Sequence, residues 1–410
     1  MILFCEECGT RHVIDENQIS GELYKFSCNQ CGETLMVSLA NKQNGAAAHA
    51  AMADQGVGAL TNPVGKELKV LVVDDSKLIR RVLRDIIESD GRKKVIGEAE
   101  NGKKALEFLI GEHPDVITLD INMPVMDGLT TLKHIMISRP VPTVMISALT
   151  KEGSLETFES LKYGAIDFLP KPSQTKGSDL EAQKEEILRK IEMVANVQIE
   201  SIRYLRRPTK NKNGQKSTRV CSSCVVIGVA EGGYAALLNV IPRLKQQLPA
   251  TYVAVMYQAP HHVDGFARYL DQCSRLSVLR ATDGAVLQGG TCYLASASEH
   301  VTLIPDKNNI RLKVNGALSS EGAINMLMGS AASIMRERSA GVILTGAGED
   351  GVDGLGTIAE QGGKIFVQDP RSALFKQTPM MAVDRYHVDY LVSDKQMAGA
   401  ISSFIKAHSN

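Results

Sequence analysis

The stretch KVLVVDDS, residues 69–76, decides the fold of the first half of the chain. One lysine and four apolar residues lead directly to a pair of aspartates, and an amphipathic stretch follows Ser76. Short apolar runs that end in acids are typical of strands buried on both faces, with polar groups at the carboxyl end. We therefore expect a strand at residues 69–73 followed by a helix.

The same alternation continues to about residue 170. It predicts further strands and, between them, helices, and this order indicates a parallel sheet covered on both faces. In such sheets the functional groups lie at the carboxyl edge of the strands. The expected strands are 95–99, 115–120, 141–147 and 165–170, and the expected helices are 101–110, 129–138 and 152–163.

Polar side chains stand where these strands end. Asp74 and Asp75 close the first strand, Asp120 the third and Ser147 the fourth, while Lys171 follows the fifth. Three converging carboxylates repel one another, and the usual solution is a divalent cation held by oxygen ligands, here Mg²⁺. Asp120 is then placed to attack a phosphoryl donor, since phosphoryl transfer needs little beyond positioning and charge neutralisation. For any one acid alone, a helix cap or a solvated loop is the alternative.

The motifs VVDDS, LDINMPVMDG, ISA and LPKP together resemble the response-regulator receiver family over its full length. The resemblance implies a flavodoxin-like fold and a histidine kinase of the chemotaxis type as phosphodonor. It also implies a cis peptide bond between Lys171 and Pro172. The site residues that it implies are Asp120 as phosphoacceptor, Asp74, Asp75, Asp120 and the Asn122 carbonyl as Mg²⁺ ligands, and Ser147, Phe168 and Lys171 as the switch set.

The first forty residues contain two Cys-x-x-Cys pairs. Cys5 and Cys8 are separated by nineteen residues from Cys28 and Cys31, which is the spacing of a four-thiolate zinc site. The segment resembles small bacterial zinc ribbons, in which Zn²⁺ supplies the folding free energy. Two disulfides or four free thiols are the alternative reading.

Composition excludes several classes of protein. The 410 residues contain 46 basic and 46 acidic side chains, so overall charge does not favour nucleic acid or an anionic membrane. No window is apolar enough for a membrane span and the start lacks the pattern of a signal peptide, so we expect a cytoplasmic protein. Nucleic-acid binding through the ribbon is the weakest alternative, and it requires an affinity that falls steeply with salt.

A second strand and helix alternation begins with CVVIGVAEGGYAALLNVIPRL, residues 224–244. Its first strand ends near Gly228, and further strand signals lie at 252–257, 341–348 and 363–369. A second doubly wound, Rossmann-like α/β domain is the natural interpretation. The Gly-rich turn lacks the Walker lysine and the full dinucleotide spacing, so it indicates nucleotide binding only weakly.

This second segment resembles the chemotaxis protein-glutamate methylesterase family, CheB, whose domain order also places a receiver first. The resemblance implies hydrolysis of glutamate methyl esters on chemoreceptors by a serine, a histidine and an aspartate. The stretches that carry it are IGVAEGG, YQAPHHVDGFARYL, DGAVLQGGTCYLASASEHVTL, GVILTGAGEDGVDG and QDPRSALFKQTPMMA.

Two of the three catalytic positions depart from the family pattern. Ala230 stands at the serine position and Ala259 at the histidine position, while Asp350 keeps its identity. Loss of the nucleophile or the base costs on the order of 10⁶ in turnover. We therefore expect an output domain that binds rather than hydrolyses. The alternative is an active methylesterase or glutamine deamidase with a non-standard nucleophile and base.

Neighbouring groups are poor substitutes. Ser222 and Ser223 precede the strand and should lie at its opposite end, about 3.3 Å per residue away from the site. Tyr234 carries the other nearby hydroxyl, and His261 and His262 are expected to be polar loop residues. Cys221 and Cys224 form another Cys-x-x-Cys, which we interpret as part-buried thiols, with redox or metal use as the alternative.

The predicted organisation has five segments. Two α/β domains account for most of the chain, and the pieces between and before them are compositionally distinct. The segments are a zinc ribbon at 1–40, a flexible linker at 41–66, a receiver domain at 67–190, a basic connector at 191–220 and a methylesterase-like domain at 221–410.

Overall fold

The computed structural model describes most of the chain from Glu67 onward. The described residues are 67–147, 155–172, 178–197, 221–307, 309–316 and 321–408, together with short strands at 2–4, 11–13, 23–27 and 34–38. They divide into two compact units. Residues 67–147 and 163–196 belong to the first unit, and residues 155–162 and 221–408 belong to the second.

Near the start of the chain, four strands form two antiparallel pairs. Strand β1 (Ile2–Phe4) pairs with β2 (Arg11–Val13), and β3 (Leu23–Ser27) pairs with β4 (Thr34–Ser38). The four cysteines predicted to bind zinc lie outside the described residues.

The first unit is built on a five-stranded parallel sheet with the strand order β6-β5-β7-β8-β9. Its strands are rich in Val, Ile and Leu because both faces are covered by helices. Ser76 and Asp127 accept hydrogen bonds from backbone amides of the first turns of α1 and α3 and so fix where these helices begin. The elements are β5 (Leu68–Val73), α1 (Lys77–Glu88), β6 (Lys93–Ala99), α2 (Gly102–Gly111), β7 (Val116–Asp120), α3 (Gly128–Ser138), β8 (Thr143–Ser147), β9 (Asp167–Pro170) and α5 (Ser178–Ala195), with α4 (Leu155–Lys162) counted in the second unit.

The second unit contains a seven-stranded parallel sheet in the order β12-β13-β11-β10-β16-β17-β18. An antiparallel hairpin, β14 with β15, packs against helix α8. The elements are β10 (Ser223–Val229), α6 (Gly233–Val240), β11 (Ala250–Met256), α7 (Pro260–Cys273), β12 (Ser277–Arg280), β13 (Thr291–Ser296), β14 (Glu299–Asp306), β15 (Asn309–Gly316), α8 (Ala323–Met335), β16 (Ser339–Ile343), α9 (Val352–Glu360), β17 (Lys364–Gln368), α10 (Gln377–Arg385), β18 (Tyr390–Val392) and α11 (Asp394–Ala407).

The order of the seven strands reverses between β10 and β16. From β10 the chain builds outward through β11 to one side and later returns through β16 to the other. Open α/β sheets bind ligands at such a switch point, in the crevice beyond the carboxyl ends of the strands. The turns that follow β10 and β16 are therefore the natural place for a site in this unit.

The predicted fold class, two parallel-sheet α/β domains with a flavodoxin-like first sheet, is confirmed. Two finer expectations are wrong. The described residues contain no cis peptide bond, so the Lys171–Pro172 bond takes the trans form that is also the intrinsically favoured one. His261 and His262 lie in the first turn of α7 rather than in a loop, because Pro260 is suited to the first position of a helix.

No helix in the described part of the chain combines the length and the hydropathy that a membrane span requires.

Candidate functional site

Three aspartates meet at the carboxyl edge of the first sheet. Asp74 follows β5 and is fully buried, Asp120 ends β7 and is also buried, and Asp75 is exposed. One carboxylate oxygen from each of the three lies within 4.8 Å of the others. The sheet order places these residues together because β5 and β7 are adjacent strands.

Lys171 bridges the two buried carboxylates. Its Nζ lies 2.8 Å from Asp120 Oδ2 and 3.0 Å from Asp74 Oδ2. Burial raises the pKa of Asp120; the hydrogen bond from Lys171 opposes this rise, and the charge of Asp74 adds to it. Burial alone would lower the pKa of Lys171, but the two carboxylates outweigh it and the pKa is raised. Lys171 is therefore held as a cation.

The donor set suits a hard divalent cation. Three carboxylates face a single ammonium in this cluster, so the charge is not balanced by Lys171 alone. Oxygen ligands of this kind are those that Mg²⁺ prefers, and the exposed Asp75 leaves one side of the cluster open to water. Asp74, Asp75 and Asp120 thus fit a magnesium site.

The remaining predicted switch residues lie close by in the fold. Ser147 ends β8, where its register partner is Pro170, although the side chain of Ser147 lies outside the description. Phe168, on β9, is buried. The backbone amide of Asn122 hydrogen-bonds to the carboxylate of Asp120 and helps to stabilise its charged form.

Lys190, on α5, contacts β9 and was not identified by the sequence analysis. Its Nζ is buried, 3.1 Å from Asp167 Oδ2 and 2.9 Å from the carbonyl oxygen of Phe168. The ammonium also lies 5.7 Å from the centroid of the Phe168 ring. Its place in the helix, three residues after the buried Ile187, was the available signal for a core-facing lysine.

Ala230 and Ala259, which were predicted to replace the serine and the histidine, carry only methyl groups. Ala230 follows β10, and its amide donates to the carbonyl oxygen of Thr345 at 3.2 Å. Ala259 is the residue before α7 and is exposed. Neither side chain can act as a nucleophile or accept a proton.

The carboxylate of Asp350 is fully engaged in holding structure. It accepts hydrogen bonds from the amides of Ile324 at 2.8 Å and Asn325 at 3.0 Å, in the first turn of α8. In return, Asn325 Oδ1 accepts from the amides of Gly351 at 3.0 Å and Gly354 at 2.6 Å, at the start of α9. The two helix N-termini cap each other through this pair of side chains.

Tyr257 completes the surroundings of Asp350. Its hydroxyl donates to Asp350 Oδ2 at 2.7 Å. Burial, the hydrogen bond to Asp350 and the negative charge of Asp350 all raise the pKa of Tyr257. The phenol therefore stays protonated. The sequence analysis did not identify Tyr257, although it directly follows β11 at the same edge of the sheet.

Among the groups considered as substitutes, the two serines lie away from Ala230, and the two histidines lie in the first turn of α7. Ser222 and Ser223 lie at the opposite end of β10 from Ala230, as expected, and Ser222 Oγ donates to the carbonyl of Pro249 at 2.7 Å. The rings of His261 and His262 pack against each other with centroids 4.1 Å apart.

The second Cys-x-x-Cys does not have the character of a reactive pair. Cys221 and Cys224 are both free thiols, and Cys221 Sγ donates to the carbonyl of Ser223 at 3.3 Å. Burial raises the pKa of both thiols, whereas reactive cysteines have a lowered pKa.

Comparison with known families matches both units. Residues 70–180 match the model of the response regulator receiver domain, and residues 225–401 match the model of the CheB methylesterase.

Curated proteins from several organisms are similar over most of the chain. A protein-glutamate methylesterase/protein-glutamine glutaminase of Pyrococcus horikoshii is 38% identical over 340 residues, covering 80% of this chain and 91% of its own. The protein of the same name from Caldanaerobacter subterraneus subsp. tengcongensis is 36% identical, covering 78% and 92%. Among solved structures, the CheB methylesterase catalytic domain of Thermotoga maritima is 26% identical, covers 46% of this chain and 100% of its own, and has a TM-score of 0.43.

Proposed function

Because the chain belongs to the CheB family of chemotaxis response regulators, which join a receiver domain to a methylesterase domain, we propose that this member uses its methylesterase domain as a non-catalytic, binding output. Phosphorylation of the receiver would control that output. The observation that carries the proposal is the pair of methyl groups, Ala230 and Ala259, at the positions of the nucleophile and the base.

The loss of these two groups removes the chemistry, not only its rate. A serine hydrolase needs a hydroxyl whose proton passes to an imidazole during attack on the acyl carbon. Removing the serine or the histidine alone costs on the order of 10⁶ in turnover, about as much as removing the whole triad. Asp350 does not compensate, because Tyr257 and two helix amides already occupy its carboxylate.

Phosphorylation is proposed to occur on Asp120. A carboxylate oxygen of Asp120 attacks the phosphorus of a phosphohistidine on the kinase; the new O–P bond forms as the N–P bond breaks and the imidazole leaves. Mg²⁺, held by Asp74, Asp75, Asp120 and the Asn122 carbonyl, would neutralise charge on the phosphoryl oxygens. Lys171 already lies 2.8 Å from Asp120 and would pair with the phosphorylated side chain.

The proposed partners follow from this assignment. A chemotaxis histidine kinase would supply the phosphoryl group, and methyl-accepting chemoreceptors or their signalling complex would be bound by the output domain. At the start of the chain, Cys5, Cys8, Cys28 and Cys31 are proposed to hold Zn²⁺ in a structural ribbon, on the basis of their spacing alone.

The names of the relatives favour a second candidate function. Each of the two described above is named as a methylesterase and glutaminase. On this reading the chain hydrolyses receptor esters or amides with a non-standard nucleophile and base, and His261 or His262 would serve as the base.

Restoring the lost groups tests the proposal. The double variant Ala230→Ser, Ala259→His should bind methylated chemoreceptor as the wild type does and should gain methyl release. A matched control, Ala235→Ser, adds a hydroxyl on α6 away from the turn and should gain none. If the wild type already releases methyl groups as fast as the double variant, the second candidate is correct.

A further inference from the structure

Hydrogen bonds join the turns that follow β10 and β16, at the point where the strand order of the seven-stranded sheet reverses. The amide of Ala230 donates to the carbonyl of Thr345 at 3.2 Å, and Thr345 Oγ1 donates to the carbonyl of Glu231 at 3.0 Å. A Cβ atom placed on Gly346 would lie 3.0 Å from the Cβ of Ala230. The next backbone amide, that of Ala347, therefore belongs to the turn that directly adjoins position 230.

That amide already has a partner within the chain. Glu231 Oε2 accepts the hydrogen bond of the Ala347 amide at 2.9 Å. Glu231 directly follows Ala230, and its side chain reaches across from one turn to the other. Hydrogen bonds between a carboxylate and a backbone amide are stronger than those between neutral groups.

The hydrogen bond between Glu231 and the Ala347 amide lies beside position 230, where the family resemblance places a nucleophile. Acyl-transfer sites use backbone amides beside the nucleophile to hold the oxygen of the substrate carbonyl. Here the amide of Ala347, in the turn that adjoins position 230, is already bonded to a carboxylate oxygen of the protein itself. Glu231 also brings a negative charge, which disfavours a developing oxyanion at the same place.

We propose that Glu231 is an internal ligand of the former active site: its carboxylate holds the Ala347 amide and closes the turn beside Ala230 to an acyl group. The inference deepens the proposed non-catalytic function and rests on it for the statement that no ester is turned over. It adds a second barrier to catalysis, so that the activity gained by restoring a serine and a histidine is lower while Glu231 holds the Ala347 amide.

Amide hydrogen exchange at Ala347 in the full chain tests the contact without any turnover. Glu231→Met removes the acceptor at similar size, and exchange at Ala347 should become roughly tenfold faster. Glu231→Gln keeps an acceptor oxygen and should exchange nearly as slowly as the wild type. The amide of Leu344, bonded to the carbonyl of Gly228, should be unchanged in both variants and reports on general destabilisation. Equal exchange at Ala347 in all three proteins overturns the proposal.

A labelling experiment tests the consequence. In the Ala230→Ser, Ala259→His background, a fluorophosphonate should label the introduced serine roughly tenfold faster with Glu231→Met than with Glu231 or Glu231→Gln. Equal or undetectable labelling in all three overturns the closing role. Methyl release by the wild-type chain, measured separately, would contradict the proposed function and leave the exchange result at Ala347 standing.

Discussion

Two aspartates, one in each unit, show how the same side chain is put to different uses by its partners. Asp120 is buried beside Asp74, and Lys171 forms an ion pair with both carboxylates. Burial and the charge of Asp74 raise the pKa of Asp120. Asp350 accepts three hydrogen bonds, two of them from helix amides, and so serves structure. The hydrogen-bond partners of an aspartate therefore decide which of these uses its carboxylate has.

Removing the positive charge between the buried acids should make the stability of the first unit depend on pH. In Lys171→Met, only the hydrogen bond from the Asn122 amide still opposes burial and the charge of Asp74, so the folded-state pKa of Asp120 rises further above its unfolded value. Between those two values the folded state binds more protons, and stability increases as pH falls. Calorimetry should show the melting temperature of the first unit rising, relative to the wild type, as the pH falls through the raised pKa of Asp120 toward its unfolded value. A control, Lys103→Met on the exposed face of α2, should follow the wild type. Parallel behaviour of Lys171→Met and the wild type would contradict the electrostatic account.

Asp350→Ala tests the structural role of that carboxylate. The change leaves the first-turn amides of α8 and the hydroxyl of Tyr257 without their acceptor, and we expect a loss of about 2 to 4 kcal/mol from the free energy of unfolding of the second unit. Asp353→Ala removes an exposed carboxylate three residues away and should cost no more than about 0.5 kcal/mol. Urea unfolding measures both, and equal stability of the two variants would show that the reciprocal caps contribute little.

At the scale of elements, most of the regular structure could be predicted because apolar runs and capping residues are local signals. The run at 69–73 is β5, Leu68–Val73, and the stretch after Ser76 is α1. In the second unit, the strands that were missed are β12, β13, β14, β15 and β18. Of these, β12 and β18 are only four and three residues long, and β14 and β15 form a separate hairpin outside the seven-stranded sheet.

Local sequence patterns could not predict the side-chain contacts of the second unit's site. Tyr257 and Asp350 are 93 residues apart in sequence, and Glu231 and Ala347 are 116 apart. Their pairing depends on side-chain placement after the strands have aligned. The receiver-like cluster was accessible because each acid ends a recognisable strand, whereas Lys190 depends on how α5 packs.

The start of α3 depends on a residue without a side chain. A Cβ on Gly128 would clash with the carbonyl oxygen of Asp120, and the amide of Gly128 donates to the carbonyl of Ile121 at 2.8 Å. Gly128→Ala should therefore displace the loop between β7 and α3 and destabilise the first unit by about 2 kcal/mol.

A matched glycine in the same unit separates this clash from a general effect of alanine. Gly111, at the end of α2, has open space around a built Cβ atom. Gly111→Ala should be neutral or stabilising by up to about 1 kcal/mol. Only Gly128→Ala should be phosphorylated more slowly and melt at a lower temperature than the wild type. Equal effects in the two variants would contradict the steric explanation.

At the scale of the whole molecule, a cluster of three carboxylates and a lysine in one unit coexists with a pair of reciprocal helix caps in the other. The first unit holds three neighbouring carboxylates, and Lys171 forms ion pairs with two of them. In the second unit, Ala230 and Ala259 carry no reactive group, and Asp350 is committed to helix caps. Under the proposed function, the first unit receives a phosphoryl group and the second unit responds by a change in binding.

Magnesium should stabilise the first unit of the full chain and leave the second unchanged. A ligand that binds only the folded state raises its stability in proportion to the logarithm of its concentration. Asp75→Asn removes an exposed ligand and should reduce the magnesium-induced rise in melting temperature, whereas Asp85→Asn, on the exposed face of α1, should not. If chelation and re-addition of magnesium leave both transitions in place, the carboxylate cluster is not a metal site.

The most direct test is release of methanol from methylated chemoreceptor by the full-length wild-type protein, with and without phosphorylation of Asp120. A binding output predicts release no faster than in the receptor alone, in both states, and equal to that of Asp350→Ala. Methanol release by the wild type that increases on phosphorylation would contradict the account and establish an active methylesterase with an unconventional site.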